Sequence, residues 1–144
     1  MNYNLMNTEL SQLLREAYRK LDSLLLPIST NHDLTIMKIK TLFELSRHDE
    51  LTIGEIGELV GMAGGNISNL CKTLEKEGEV SRARSVQDER IVTVKLTDQG
   101  RQTVDSILED IKNTYDKTIN LTKEEYEKIV DTLVLLNEKL DKVK

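Results

Sequence analysis

The chain has 144 residues, 38% of them apolar and 31% charged, with one proline and seven glycines; this is the balance of a single folded domain with short loops, not of a disordered chain. Aromatic residues make up only 3%, too few for a base-stacking platform of the single-strand-binding kind, and one cysteine excludes an internal disulfide framework. The net charge of −5 argues against a uniformly basic nucleic-acid binder, yet residues 72–101 carry seven basic against six acidic side chains and form the one positive segment.

The first residues, MNYNLMNTELSQ, lack a basic stretch followed by an apolar run, so no secretory signal is expected. The longest apolar run, Leu24-Leu25-Leu26-Pro27-Ile28, is too short to span a bilayer. A cytoplasmic protein with no membrane partner is the expectation.

In chain order, Leu10, Leu13, Leu14, Ala17, Tyr18, Leu21, Leu24 and Leu25 recur at three- and four-residue steps, predicting an amphipathic helix from about 8 to 26. Pro27 and the polar Ser29–Asp33 stretch are expected to end it. Thr35 is the expected N-cap of a second helix bearing Ile36, Ile39, Leu42, Phe43 and Leu45. Thr52-Ile-Gly-Glu55 is a capping-box pattern; it should open a short helix with Ile56, Leu59 and Val60, stopped by Gly61. Helical spacing resumes at Ile67, Leu70, Cys71 and Leu74, and Gly78 stands where a left-handed C-terminal residue is needed.

The period then changes. Val80–Arg84 and Ile91–Leu96 are β-type runs around the polar tip Ser85–Arg90, predicting a hairpin with a longer loop. Thr97-Asp-Gln-Gly100 caps the next helix, whose stripe is Val104, Ile107, Leu108, Ile111, Tyr115 and Ile119. Thr122-Lys-Glu-Glu125 opens a last helix with Tyr126, Ile129, Val130, Leu133, Leu136 and Leu140. Two short helices joined by a tight turn and followed by a two-stranded ribbon describe a winged helix–turn–helix in a mainly α fold. The long flanking helices have apolar stripes broader than a small core covers, and a second copy of the chain is the expected partner.

These features resemble the MarR family of bacterial transcription regulators. The most specific match is Asp88-Glu-Arg90 followed by Ile-Val-Thr-Val-Lys-Leu-Thr-Asp-Gln-Gly100, similar to the family's wing; Leu74-Glu75 with Gly78 matches the end of its recognition helix. The resemblance implies a homodimer with N- and C-terminal dimerisation segments (1–33 and 101–144) around a DNA-binding lobe at 34–100. It also implies recognition helices in successive major grooves of a pseudo-palindromic operator and wings in the flanking minor grooves, with Arg90 inserted. Asp88 would hold Arg84 or Arg90, and a small aromatic or amphipathic effector would release the DNA. Repression is the expected output. This sequence departs from the family in having Ala63 where Ser or Thr is common, then two glycines, and no arginine from 62 to 78.

On a helix from 63 to 77 the face opposite Ile67, Leu70, Cys71 and Leu74 carries Asn66, Ser68, Asn69, Lys72, Thr73 and Lys76. Asn pairs bidentately with adenine, Ser reaches several base edges, and Lys72 suits a phosphate or guanine. Gly64 and Gly65 in the first turn let bare amides approach a phosphate, and a helix so begun is expected to be loose without DNA. On the wing, Arg82, Arg84, Gln87, Asp88 and Arg90 are the candidate contacts, because a narrow minor groove concentrates negative potential.

Other chemistry is weaker. Cys71 lies on the apolar face and reads as a small core residue, and the family's peroxide-sensing branch has its reactive cysteine near the N-terminus, where residues 1–30 hold none. His32, read as lying in a polar loop, and His48 are two isolated histidines, not a metal set, and no cofactor is expected. The acidic pairs Asp49-Glu50, Asp88-Glu89 and Glu124-Glu125 accompany no nucleophile, so no enzyme is expected. The acidic total and the arginine-free recognition helix leave one alternative: a winged-helix protein-interaction module without DNA binding.

Overall fold

The computed structural model describes Asn4, Met6 and residues 8–143; residues 1–3, 5, 7 and 144, at the outer ends of the expected 1–33 and 101–144 segments, lie outside the described residues. The elements are α1 (Glu9–His32), α2 (Ile36–Ser46), β1 (Leu51–Thr52), α3 (Ile53–Val60), α4 (Gly64–Lys76), β2 (Val80–Arg84), β3 (Val92–Leu96), α5 (Asp98–Tyr115) and α6 (Lys123–Leu140). They fall into two compact units, Met1–Asp110 and Ile111–Lys144.

The core of the first unit draws on every helix it contains. Ile28 of α1, Ile39, Leu42 and Leu45 of α2, Ile56 of α3, Ile67, Cys71 and Leu74 of α4, and Val104 and Ile107 of α5 are all buried. Val80 and Val94 close it from the sheet side. Thr35 caps α2 by accepting from the Lys38 N–H, and Thr52 and Glu55 form both halves of the capping box on α3. Each side chain takes over a backbone partner that a helix start lacks.

Several expectations are corrected. Pro27 does not end α1; it lies inside a helix that continues to His32, so His32 belongs to a helical turn and not to a loop. A proline there gives up the bond to the Ser23 carbonyl and crowds that carbonyl with its ring. Beyond it the fully buried Ile28 and the Ser29 hydroxyl, which donates to the Leu34 carbonyl, hold the chain in place. Helix α1 ends instead at Asp33, in the left-handed region at φ 51°.

The wing is not two-stranded alone. Leu51–Thr52 adds a third strand, giving the antiparallel order β1-β3-β2, with Leu51 opposite Val94 and Thr52 opposite Thr93. In the β2–β3 pair Val80 lies opposite Leu96 and Arg84 opposite Val92, so Ile91 stands just outside the ladder.

Leu59, one of the apolar residues of α3, is half exposed; Ile56 and Gly57 supply the buried face. Helix α5 stops at Tyr115, where the Thr118 and Ile119 amides turn back onto its carbonyl, so Ile119 leaves the stripe. Helix α6 is capped by Thr122 and has no buried residue at all. Among the described residues no helix is long and apolar enough to cross a membrane.

Candidate nucleic-acid interface

Helix α4 is built to show one face. Ile67, Cys71 and Leu74, at i, i+4 and i+7, are completely buried, so Asn66, Asn69, Lys72, Thr73 and Lys76 are exposed on the opposite side, with Ser68 at its margin. Among the described residues the side chains of Asn66, Ser68, Asn69, Lys72 and Lys76 make no hydrogen bond or ion pair within the protein, and Thr73 donates only to the Asn69 carbonyl. A row of open donors and acceptors on a helix of groove-fitting width is what base-edge and phosphate contacts require.

The two ends of α4 differ. Its N-cap, Ala63, offers no side-chain cap, and a Cβ added at Gly64 or Gly65 would meet nothing within 4 Å. Nothing inside the chain demands glycine at either position. The other end is fastened from three sides. Lys38 of α2 reaches Glu77 at 2.6 Å, and Gln99 of α5 donates to the Glu77 carbonyl at 2.9 Å. The Thr97 hydroxyl donates to the Gly78 carbonyl at 2.6 Å and accepts from the Gly100 N–H at 3.0 Å. Gly78 itself sits at φ 82°, a left-handed conformation that side-chain-bearing residues adopt at a cost. The Thr73, Leu74 and Glu75 carbonyls at the helix end accept from the Glu77, Glu79 and Gly78 N–H groups, and the Glu77 and Gly78 carbonyls beyond them find their partners at the start of α5.

The three arginines of the hairpin have three different settings. Arg90 has a side chain 92% exposed, and Asp88 Oδ1 accepts from both its backbone N–H, at 3.0 Å, and its Nε, at 3.3 Å. Its two outer nitrogens therefore point away from a held base. Arg84 donates from Nη1 to the Glu89 carbonyl at 2.7 Å, which folds the loop; the Ser85 N–H donates to Ile91 at 2.7 Å and closes it. Of the two arginines open to Asp88, the structure joins Arg90 to it. Gln87 is exposed at the tip, where its N–H donates to the Ser85 hydroxyl.

Arg82, read from sequence beside the other two, lies differently. It is part-buried, and Glu75 of α4 grips it twice: Oε1 accepts from Nε at 3.2 Å and forms an ion pair with Nη2 at 3.2 Å, and Oε2 accepts from its backbone N–H at 3.1 Å. Only the resemblance at Leu74-Glu75 drew attention to Glu75, and nothing local in the sequence ties it to a residue seven positions on. Glu79 was missed as well: it is buried, with Oε1 accepting from Gln99 at 3.2 Å.

Cys71 is fully buried, and burial pushes its thiol up to about 11, with the Arg82 charge pulling weakly the other way. At pH 8 the group is therefore a neutral thiol. A thiol-disulfide reagent is expected to label the native protein on the order of a hundredfold more slowly than the urea-unfolded chain. Equal rates in the two states would show that Cys71 is reachable. The two histidines stand apart: His32 contacts Asp110 at 3.1 Å, and His48 follows the end of α2.

Comparison with known proteins agrees with this geometry. The family described as transcriptional regulator SarA/Rot matches residues 23–107. The HTH-type transcriptional regulator SarZ of Staphylococcus epidermidis is 32% identical over 102 residues, 71% of this chain and 68% of its own length. Among solved structures, apo MarR from E. coli aligns over 92% of this chain and 97% of its own, with a TM-score of 0.70 and 26% identity. NadR in complex with 4-hydroxyphenylacetate aligns over all of both chains with a TM-score of 0.80; at 23% identity it speaks for the fold alone. The chain belongs to the SarA/Rot family of transcriptional regulators, DNA-binding winged-helix proteins of the MarR type and not enzymes.

Proposed function

We propose that the chain is a ligand-responsive repressor that binds a pseudo-palindromic operator as a homodimer, reading bases with α4 and the flanking minor grooves with Arg90. The observation that carries this reading is the open polar face of α4 beside an arginine held outward by Asp88. Gly64, Gly65, Asn66, Ser68, Asn69, Lys72, Thr73 and Lys76 would supply the major-groove and phosphate contacts. On the wing, Arg90 would enter the groove, Gln87 would flank it, and Arg84 would act by holding the loop in shape.

Support for the homodimer comes from apolar surface. Tyr126, Ile129, Val130, Leu133, Val134 and Leu135 are exposed on α6, as are Leu13 and Leu21 on α1. Burying such stripes against a second copy removes them from water, at roughly 25 cal/mol per Å² of apolar area. Segments 1–33 and 101–144 are the dimerisation parts in this reading, and 34–100 is the DNA-binding lobe.

An effector of small aromatic-acid type would meet a shallow, open depression on α1, where Leu14 and Tyr18 offer apolar surface and Arg15 and Arg19 positive charge. Its Asp22 wall is fixed by Lys40 at 2.9 Å, and Lys40 also lies 4.9 Å from the Tyr18 ring centroid. NadR, a protein of similar fold, is solved in complex with 4-hydroxyphenylacetate, which supports an effector of this type.

The test is selection of duplexes from a random pool, followed by gel-shift titration at several salt concentrations and sedimentation of the complex. Two protomers on an inverted repeat, with a log–log salt slope of about −0.9 per neutralised phosphate, are expected. A monomer on DNA would overturn the homodimer, and no selected sequence would overturn the reading in favour of an interaction module without DNA binding. Aromatic carboxylates added to the complex should release the duplex.

A further inference from the structure

We propose that Glu75 and Arg82 are positioning residues that lock the recognition helix and the wing into one rigid reading head, so that Arg90 depends on Glu75 without touching it. The inference rests on the DNA-contact reading above.

The contacts form a continuous series. Glu75, on the second-last residue of α4, binds both the guanidinium and the backbone N–H of Arg82. A carboxylate that holds side chain and main chain of one residue fixes the strand's height and rotation, where a side-chain ion pair alone would leave it free to slide. Arg82 is paired in the sheet with the fully buried Val94, so fixing it fixes β3 as well. Two residues on, and thus on the same face of β2, Arg84 ties the Glu89 carbonyl. Asp88, the neighbour of Glu89, then orients Arg90. Five charge-assisted hydrogen bonds lie between the helix end and the wing tip.

The alternative use of Arg82 is direct contact with DNA. Its part-buried guanidinium has Nε and Nη2 already committed to Glu75, whereas the Arg90 side chain is 92% exposed. Two reading elements held at a fixed offset bind as one ligand, because the offset need not be set again on each encounter.

The experiment is a double-mutant cycle on the tightest duplex recovered by selection, with Kd and salt slope measured for the full chain, E75Q, R90A and the double variant. E75Q keeps an acceptor for the Arg82 N–H and removes the charge that grips the guanidinium. The expected result is a loss of about tenfold for E75Q with an unchanged salt slope, and an R90A effect at least about tenfold smaller in the E75Q background than in the full chain. An R90A effect of equal size in both backgrounds would overturn the lock. So would tighter binding with a steeper slope in E75Q, which would make Arg82 a DNA contact that Glu75 restrains. If R90A has no effect even in the full chain, the wing reading itself fails, a result distinct from the other two. Arg82→Lys, which keeps the charge but not the fork, serves as the second variant should E75Q unfold, and must show the same loss of coupling.

Discussion

Replacing Arg90 by alanine is expected to raise the Kd for the selected duplex on the order of a hundredfold, since each of two wings would lose a contact worth about 1–3 kcal/mol. The log–log salt slope should fall by about 0.9 per wing, or nearly 2 for the dimer. Stability should hardly change, because the side chain is almost wholly exposed and its one ion pair, with Asp88, is a surface pair. Melting temperature and gel-shift affinity measured on the same preparation separate the two effects. A lowered affinity with an unaltered slope would mean that Arg90 shapes the loop and does not meet DNA. Asp88→Asn should reproduce part of the loss with the slope intact, since the arginine would remain but would have to be ordered on binding.

The second large effect is structural. Alanine at Gly100 is expected to destabilise the protein by about 3 kcal/mol or more, lowering the melting temperature by roughly 10 °C. A Cβ there would lie 2.0 Å from the Glu79 carbonyl oxygen and 3.1 Å from Leu96 Cδ2. The first obstacle is backbone, which cannot swing aside as a side chain would. The start of α5 would have to lift from the end of α4, taking with it the Thr97 and Gln99 contacts to residues 77–79. Gly65→Ala is the control of opposite sign: its Cβ meets open space within a helix, so stability should hold or rise by about 0.5 kcal/mol. Thermal denaturation of the two variants side by side decides the matter, and a Gly100→Ala protein as stable as the parent would contradict the close approach.

The sequence made the elements legible wherever local chemistry is sufficient. Thr35, Thr52 and Thr97 mark helix starts by what their hydroxyls do within three residues, and each does so. The hairpin was legible from its β-branched run. Pro27 misled because the usual rule weighs one missing N–H and not the burial of Ile28 that follows it. Strand β1 escaped because two residues are too few to alternate, and they overlap the capping box that starts α3.

At the candidate site the same division holds. Helical periodicity alone separates the outward face of α4 from the buried one. It cannot separate Arg82 from Arg90, which are alike in charge and in hairpin context. What distinguishes them is a glutamate on another element, and only the folded chain brings Glu75 to one and leaves the other in solvent.

The unequal ends of α4 bear on how such regulators diverge. Residues 74–82 are mutually constrained: Glu75 with Arg82, Glu77 with Lys38 and Gln99, and Gly78 with Thr97. A change at one strands its partner, so a single substitution in this stretch is expected to cost more than a paired one. Residues 64–66 and 69 have no such obligations to the rest of the chain. If α4 reads the operator as proposed, a duplicated copy could explore new operators there while inheriting an intact scaffold.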